Sequence, residues 1–457
     1  MLTKSNQRLS RRQFLKLSTV VAAGSLVGAC SPTATATPVA SNPTAMPAAT
    51  SAPAQKVTIS FQHWGNAIEA AGYKRVLDAF MAKVPNIVVQ QNYVADSTTY
   101  GQKLLTSLAG GTGPDAFRVE GGWSSGLLAT QGSLLPLDSY ISKAGIQLDQ
   151  WVPGVKEYGN WNGKQFLLPI AAVGIFMAYN KDIFDAAKVP YPDKSWTFAQ
   201  LRDTALKLTQ RDSSGRPTVY GFQFNRAEQY LNPWIHQNDG KTYDRDISPK
   251  TCLMDDAKTA EALQFLADLI NVDKVSPTIA DETAGLSVFS NGKIAMANCG
   301  SWDWLAFHDQ AKFNWDVVTL PTNVGELRPT LWTGQVAINS QTKSPDAAWE
   351  LLNYLTATED GQTVVSDAIA QAPVTKALQM KIWQNTCDRL GAKNGMVVTL
   401  DIFGAKNPHM RPTGPTYTEA LNTVLNPGLE EIFLGRRTAA VVMAEAAPKI
   451  TAILGKA

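Results

Sequence analysis

Cysteine and histidine are scarce in this chain, with four of each among 457 residues. Cys30, Cys252, Cys299 and Cys387 form no closely spaced pair, and His63, His236, His308 and His409 show no metal-ligand spacing. That excludes a paired-cysteine zinc or redox motif and a histidine metal centre. No phosphate-binding glycine loop and no nucleophile elbow is present, so neither a cofactor nor a metal is expected. A surplus of one charge is missing as well: 41 basic residues stand against 39 acidic ones, for a formal net charge of +2. Five of the basic residues (Lys4, Arg8, Arg11, Arg12, Lys16) lie in the first 29 positions, which hold no acid, so the remainder carries 36 against 39 and sits near −3. Without a basic field, nucleic acid is not an expected partner.

Acidic residues are absent from the N-terminus for a recognisable reason. Ser10, Arg11, Arg12, Gln13, Phe14, Leu15 and Lys16 form a twin-arginine export pattern, and the apolar stretch Leu17–Ala29 follows. It is shorter than the ~20 residues that a membrane-spanning helix needs. Leu26, Val27, Gly28, Ala29 and Cys30 resemble a lipobox, which marks residues 1–29 as a signal peptide and Cys30 as the site of a diacylglyceryl (palmitate-bearing) anchor. The alternative is an ordinary cysteine beside a plain cleavage site. Residues 31–55 carry no charge and consist mainly of Ser, Thr, Pro and Ala; such a segment cannot build a core and reads as a tether. At ~3.1 Å per residue it reaches at most ~75 Å. The expected location is extracytoplasmic, lipid-anchored to the cell membrane. With Cys30 set aside, the three other cysteines are read as buried and apolar, a Cys252 to Cys299 bridge being the alternative.

What is present from Lys56 onward is a two-domain length of ordinary globular composition, 44% hydrophobic and 18% charged. Val57, Ile59 and Phe61 alternate with polar residues and predict a strand ending near Trp64. Tyr73, Val76, Leu77 and Phe80 recur at helical spacing until Pro85, Ile87–Val94 is a second strand, Tyr100, Leu104 and Leu108 mark a helix, and Ala116–Glu120 is a third strand. Alternating strands and helices predict an α/β sheet. The run Gln165–Tyr179 is almost wholly apolar but is interrupted by Pro169 and Gly174, so it reads as two buried strands with a joint, passing from one core into another. Thr330–Ile338 and the Gly- and Pro-rich Asp401–Pro415 are further candidate crossings. Thr197 with Gln200 forms a capping box, Ser344 and Pro345 open a helix, Tyr220–Phe224 reads as a strand, and Trp234 falls in a loop.

An ordered set of motifs then carries a resemblance. It comprises Gly113, Pro114, Asp115; Phe166–Pro169 followed by Met177–Asp182; Trp196, Thr197; Tyr220, Gly221, Phe222; Asn291–Met296 with Gly300, Ser301, Trp302; Ser344–Trp349; and Ile432–Gly435. Across residues 56–457 the chain resembles the family 1 extracellular solute-binding proteins of ABC-type sugar importers, which include maltose-binding protein. The resemblance implies an α/β, two-lobed periplasmic-binding-protein fold (type II), with two α/β lobes joined by three hinge crossings. The lobes would take residues 56–169 with 334–404, and 170–333 with 405–457. It also implies a monomer that captures a saccharide by hinge closure and hands it to ABC permease subunits, with no chemistry on the ligand.

Ligands of open α/β sheets lie at the carboxyl ends of strands, and flat indoles stack on the apolar faces of sugar rings. Twelve tryptophans make their placement informative. The candidate ligand contacts are Trp64, Asn66, Glu120, Trp123, Trp234, Trp302, Asp303, Trp332 and Arg411. Each has a structural alternative: Trp302 packing under a loop, Trp332 filling a hinge, Glu120 or Arg411 pairing across the lobes. Asp115 is assigned to its turn. Other functions stay open: a binding protein for a polyol or a glycerophosphodiester, an anchored glycoside hydrolase using carboxylates such as Glu120 and Asp303, or a ligand-free surface scaffold.

Overall fold

Local pattern becomes architecture first in the strand β1 (Val57–Trp64), whose inward residues Ile59 and Phe61 are buried. The structure, a computed structural model, describes residues 56–120, 125–152, 154–283 and 288–456. The export pattern, Cys30, the tether and Trp123 lie outside the described residues. Helix α1 (Ala67–Lys83) buries Tyr73, Val76, Leu77 and Phe80 against the sheet, which is the stripe the 3.6-residue period requires. β2 (Ile87–Val94) pairs parallel to β1 from Val57 opposite Ile87 to Trp64 opposite Val94. Helix α2 (Ser97–Ala109) is capped by Asp96, whose carboxylate accepts from the Thr99 amide at 2.6 Å. β3 (Ala116–Glu120) returns parallel to β1 on its other side. Asp115 serves this turn: it accepts from the Ser60 amide and hydroxyl, both at 2.8 Å, and from the Thr342 hydroxyl at 2.5 Å. The short helix α3 (Ser125–Thr130) follows.

The apolar run is two strands, β4 (Leu167–Val173) and β5 (Ile175–Asn180), buried at every position. Their joint is Gly174, not Pro169. A Cβ on Gly174 would stand 3.0 Å from Cγ2 of Ile402, so a side chain at this joint would press on that methyl group. Pro169 is tolerated inside β4 because the ladder slips there. Its partner strand shifts register between Gly334 and Gln335, and Pro169 stands opposite Gln335.

β5 is the centre of a three-stranded sheet, antiparallel to both β6 (Met296–Gly300) and β7 (Trp315–Val318). β8 (Thr330–Ile338) leads back to the first sheet, antiparallel to β3 and β4, and the two-residue strand β9 (His409–Met410) pairs with its start. Tyr220–Phe224, expected as a strand, makes only isolated parallel bridges beside β6, Tyr220 with Ile294 and Gln223 with Ala297. The stretch expected as a loop around Trp234 is a helix, α4 (Glu228–Gln237).

Alternation along β5 decides which core each side chain joins. Ile175, Met177 and Tyr179 face one cluster with Phe222, Trp234, Leu263 and Phe433. Phe176 and Ala178 face the other, where the Trp304 ring lies 5.0 Å from Phe176 and 5.7 Å from Trp383. Burial of each such side chain contributes about 1.5–3 kcal/mol. The cysteines Cys252, Cys299 and Cys387 are buried and unbridged, the first of the two sequence readings.

Candidate binding cleft

The carboxyl end of β1 delivers Trp64 to a small cavity of about 170 Å³, which is also lined by Glu69, Arg118, Tyr230, Trp302, Trp332, Thr333 and Gln371. Trp64 is half-buried, its ring 5.1 Å from that of Tyr100. Trp302 and Trp332 face each other at 5.9 Å, and the Tyr230 ring meets Trp302 edge-on at 6.1 Å. Aromatic surface therefore enters this compartment from the first sheet, from the loop after β6 and from the crossing strand β8.

Arg118 is the polar centre. It is 4% exposed, its Cζ lies 3.9 Å from the centroid of Trp64 and 5.3 Å from that of Tyr73, and among the described residues Nε and Nη1 have no hydrogen-bond partner. Its backbone is fixed by the Tyr100 hydroxyl, which donates to the Arg118 carbonyl at 2.6 Å. Gly334 lies against this group: a Cβ there would stand 3.4 Å from Nη2 of Arg118, 3.5 Å from Oε1 of Gln371 and 3.3 Å from Cγ2 of Ile170. Gln371, also buried, leaves its Oε1 without a partner beside it. A buried cation and a buried acceptor left unmet in the same cavity cost free energy until something polar enters.

His63 adjoins this centre without entering it. The Gln91 amide nitrogen, which donates to Ala70, lies 2.8 Å from Nε2, and Nδ1 lies 3.0 Å from the Trp64 carbonyl. The bonding fits a neutral ring that accepts from Gln91 and donates to Trp64. Burial holds its pKa down at about 4, partly opposed by that carbonyl and reinforced by Arg118.

The expected contacts divide. Trp64, Trp302 and Trp332 come together. Asn66 does not join them: it is exposed and caps α1, accepting from the Glu69 amide at 3.0 Å while Glu69 accepts from the Asn66 amide at 3.1 Å. Trp234 is fully buried core, its ring 5.4 Å from Phe198 and 5.5 Å from Phe222, because α4 turns it inward. Asp303 is half-buried and accepts from the Gly300 amide at 3.0 Å. Burial raises its pKa to about 7, with that amide opposing and Glu69 adding to the rise. Glu120 ends β3 opposite Gly334, but its side chain, like the whole of Trp123, lies outside what is described.

Arg411 belongs to a neighbouring, larger compartment of about 560 Å³, whose walls also include Leu105, Leu127, Leu421, Leu429 and Phe433. Ser97 and Gln229 line both compartments, so the two adjoin. Arg411 Nε lies 3.1 Å from Oε2 of Glu228, and Nη2 lies 3.3 Å from Oε1 of Gln229. The Tyr417 hydroxyl donates to the other Glu228 oxygen at 2.7 Å. This cation is already met by the protein.

Glu69, Arg118, Tyr230, Thr333 and Gln371 escaped the sequence reading. One signal for Arg118 was available: a charge inside the otherwise apolar Ala116–Val119 strand. Glu69 was hidden by its capping role, and nothing in the sequence marks Gln371.

Two crossings of β strands between two α/β sheets, with an aromatic cavity beside them, define a two-lobed binding protein of the type II class. Residues 64–362 match the family model for bacterial extracellular solute-binding protein, and the chain belongs to that family. An ABC substrate-binding protein of Listeria monocytogenes in complex with cycloalternan is similar to it with a TM-score of 0.78 and 24% identity, covering 88% of this chain and all of that one. A solute-binding protein of Thermotoga lettingae bound with alpha-D-tagatose has a TM-score of 0.73 at 22% identity, covering 87% of this chain and 100% of that one. A maltotriose-binding protein of Pyrococcus abyssi is 25% identical over 289 residues, which is 62% of this chain and 59% of the relative. Among the described residues no helix is long and apolar enough to cross a membrane, and no cluster of His, Cys, Asp and Glu could hold a metal ion.

Proposed function

We propose that this protein captures a saccharide outside the cytoplasm and delivers it, chemically unchanged, to the permease of an ABC importer. The observation that carries the reading is the unmet guanidinium of Arg118 set among Trp64, Trp302 and Trp332, with Glu69 and Gln371 beside it. A sugar hydroxyl both donates and accepts, so one ring can satisfy Arg118 and Gln371 together while its C–H faces lie on the indoles. The saccharides named for the Listeria, Thermotoga and Pyrococcus relatives support this reading. Closure of the two lobes about their crossings would bury the ligand and create the surface that a permease recognises. Glu120 and Trp123, which follow β3, are further proposed contacts. The twin-arginine pattern, the lipobox at Cys30 and the uncharged tether support export and anchoring by lipid.

The buried, unpaired Arg118 also favours a second reading, a glycerophosphodiester whose phosphate meets the guanidinium. Tryptophan fluorescence and thermal shift against mono-, di- and oligosaccharides, polyols and glycerophosphodiesters separate the two. Saturable quenching or enhancement by a saccharide is expected, without hydrolysis. Silence across all saccharides, or turnover of any glycoside, would sink the proposal. Trp302→Ala should weaken saccharide binding by about tenfold, or ~1.4 kcal/mol, with folding retained; unchanged affinity removes Trp302 from the site.

A further inference from the structure

The two compartments of the cleft differ in what they offer a ligand. The inner one is aromatic and holds unmet polar groups, whereas the outer one has an apolar face, Leu421, Leu429 and Phe433 from the C-terminal helices with the half-buried Leu105 of α2 and Leu127 of α3, and its buried charges, Glu228 and Arg411, are bonded to each other. Of its other polar side chains, Gln102, Asn422, Asn426 and Glu430 are exposed at the rim, and Ser97, Gln229 and Thr418 are half-buried. The two arginines in its lining are engaged elsewhere, Arg226 with Glu282 and the Pro277 carbonyl and Arg411 with Glu228. A second sugar unit lying on the face formed by Leu105, Leu127, Leu421, Leu429 and Phe433 would bring hydroxyls against side chains that cannot hydrogen-bond them, and each unmet group costs free energy. An alkyl, acyl or aromatic group would be stabilised there instead.

Size points the same way. Small-molecule sites usually span ~300–1,000 Å³; the inner compartment, at about 170 Å³, is smaller than that, and the outer, at about 560 Å³, falls within it. Because Ser97 and Gln229 border both, a ligand that extends past these two residues would reach from one into the other. Resting on the carbohydrate reading above, we propose that the ligand is an amphipathic glycoside: its sugar lies in the tryptophan compartment and its apolar substituent in the aliphatic one.

The test compares methyl and n-hexyl glycosides of glucose, galactose and mannose, with maltotriose alongside, by tryptophan fluorescence on the full folded chain below any micelle concentration. Hexyl glycosides should bind at least ~10-fold tighter than their methyl partners, since several CH₂ groups at ~0.8 kcal/mol each leave the water. In Leu105→Asn/Leu127→Asn the hexyl-to-methyl ratio should fall towards one; the unliganded thermal midpoint reports that the variant is folded. A response to sugars with no gain from the chain, or a gain that persists in the variant, overturns the proposal and leaves the carbohydrate reading standing. Maltotriose binding more tightly than every hexyl glycoside and losing that advantage in the variant overturns it also, because the compartment then takes sugar. Silence towards every probe overturns both.

Discussion

Arg118 and Arg411 are both only 4% exposed, and they have opposite fates. Arg411, just after β9, is met by Glu228 at 3.1 Å, in an ion pair whose members are 5% and 3% exposed. Tyr417 and Asn232 in turn donate to Glu228. Arg118, in β3, has the faces of Trp64 and Tyr73 and, among the described residues, nothing for Nε and Nη1. A buried charge must be compensated by the protein or by what the protein binds. The first arginine therefore belongs to the architecture that carries the cleft, and the second to its recognition chemistry.

Breaking the first pair should produce the largest effect. Glu228→Ala leaves the Arg411 guanidinium buried without its counter-ion, and a loss of ~3–5 kcal/mol in unfolding free energy is expected, measured by denaturant titration. A loss under ~1 kcal/mol would mean that Arg411 is as uncompensated by design as Arg118. Arg118→Met sharpens the contrast from the other side. It removes an unpaired charge, so stability should hold or rise, while affinity for the ligand should drop by about 10- to 100-fold, as a charged hydrogen bond worth ~1.5–3 kcal/mol disappears. A large loss of stability with unchanged affinity would reverse the assignment.

The smallest effect concerns Asp303, next to Trp302 of the inner compartment. Its folded pKa, near 7, lies above the usual carboxylate value of 3.8. The stability this group contributes is thus fully present below pH ~3.8 and is lost as pH rises through about 7. Asp303→Asn keeps an oxygen to accept from the Gly300 amide and does not titrate. Relative to the parent, the variant should gain stability progressively between pH 4 and 7 and hold that gain above it, as read from thermal midpoints in a pH series. A difference profile that is flat over this window would show that Asp303 ionises freely.

Much of the fold was legible in the sequence. The period-two alternation of Val57, Ile59 and Phe61 and the 3.6-residue stripe from Tyr73 to Phe80 are local properties, and the elements formed where they pointed. The joint inside the apolar run was read as well, but its position was not. Pro169 looked like the break, yet the ladder between β4 and β8 shifts register beside it, and the strands part at Gly174, where the close neighbour is Ile402, more than two hundred residues away. The site was half legible. Trp302 and Trp234 are the same residue type, each beside a predicted element, and only packing puts one against Trp332 and the other between Phe198 and Phe222.

The sequence by itself determined most of the elements, their α/β order, the family and the supply of indoles, because these follow from patterns among near neighbours. The tertiary structure alone decided which polar groups were already spent. Asn66 and Glu69 close a helix cap, Arg411 closes an ion pair, and Arg118 is left open under Gly334. Whether a buried donor has a partner depends on residues brought together from distant parts of the chain, and no local pattern carries that information.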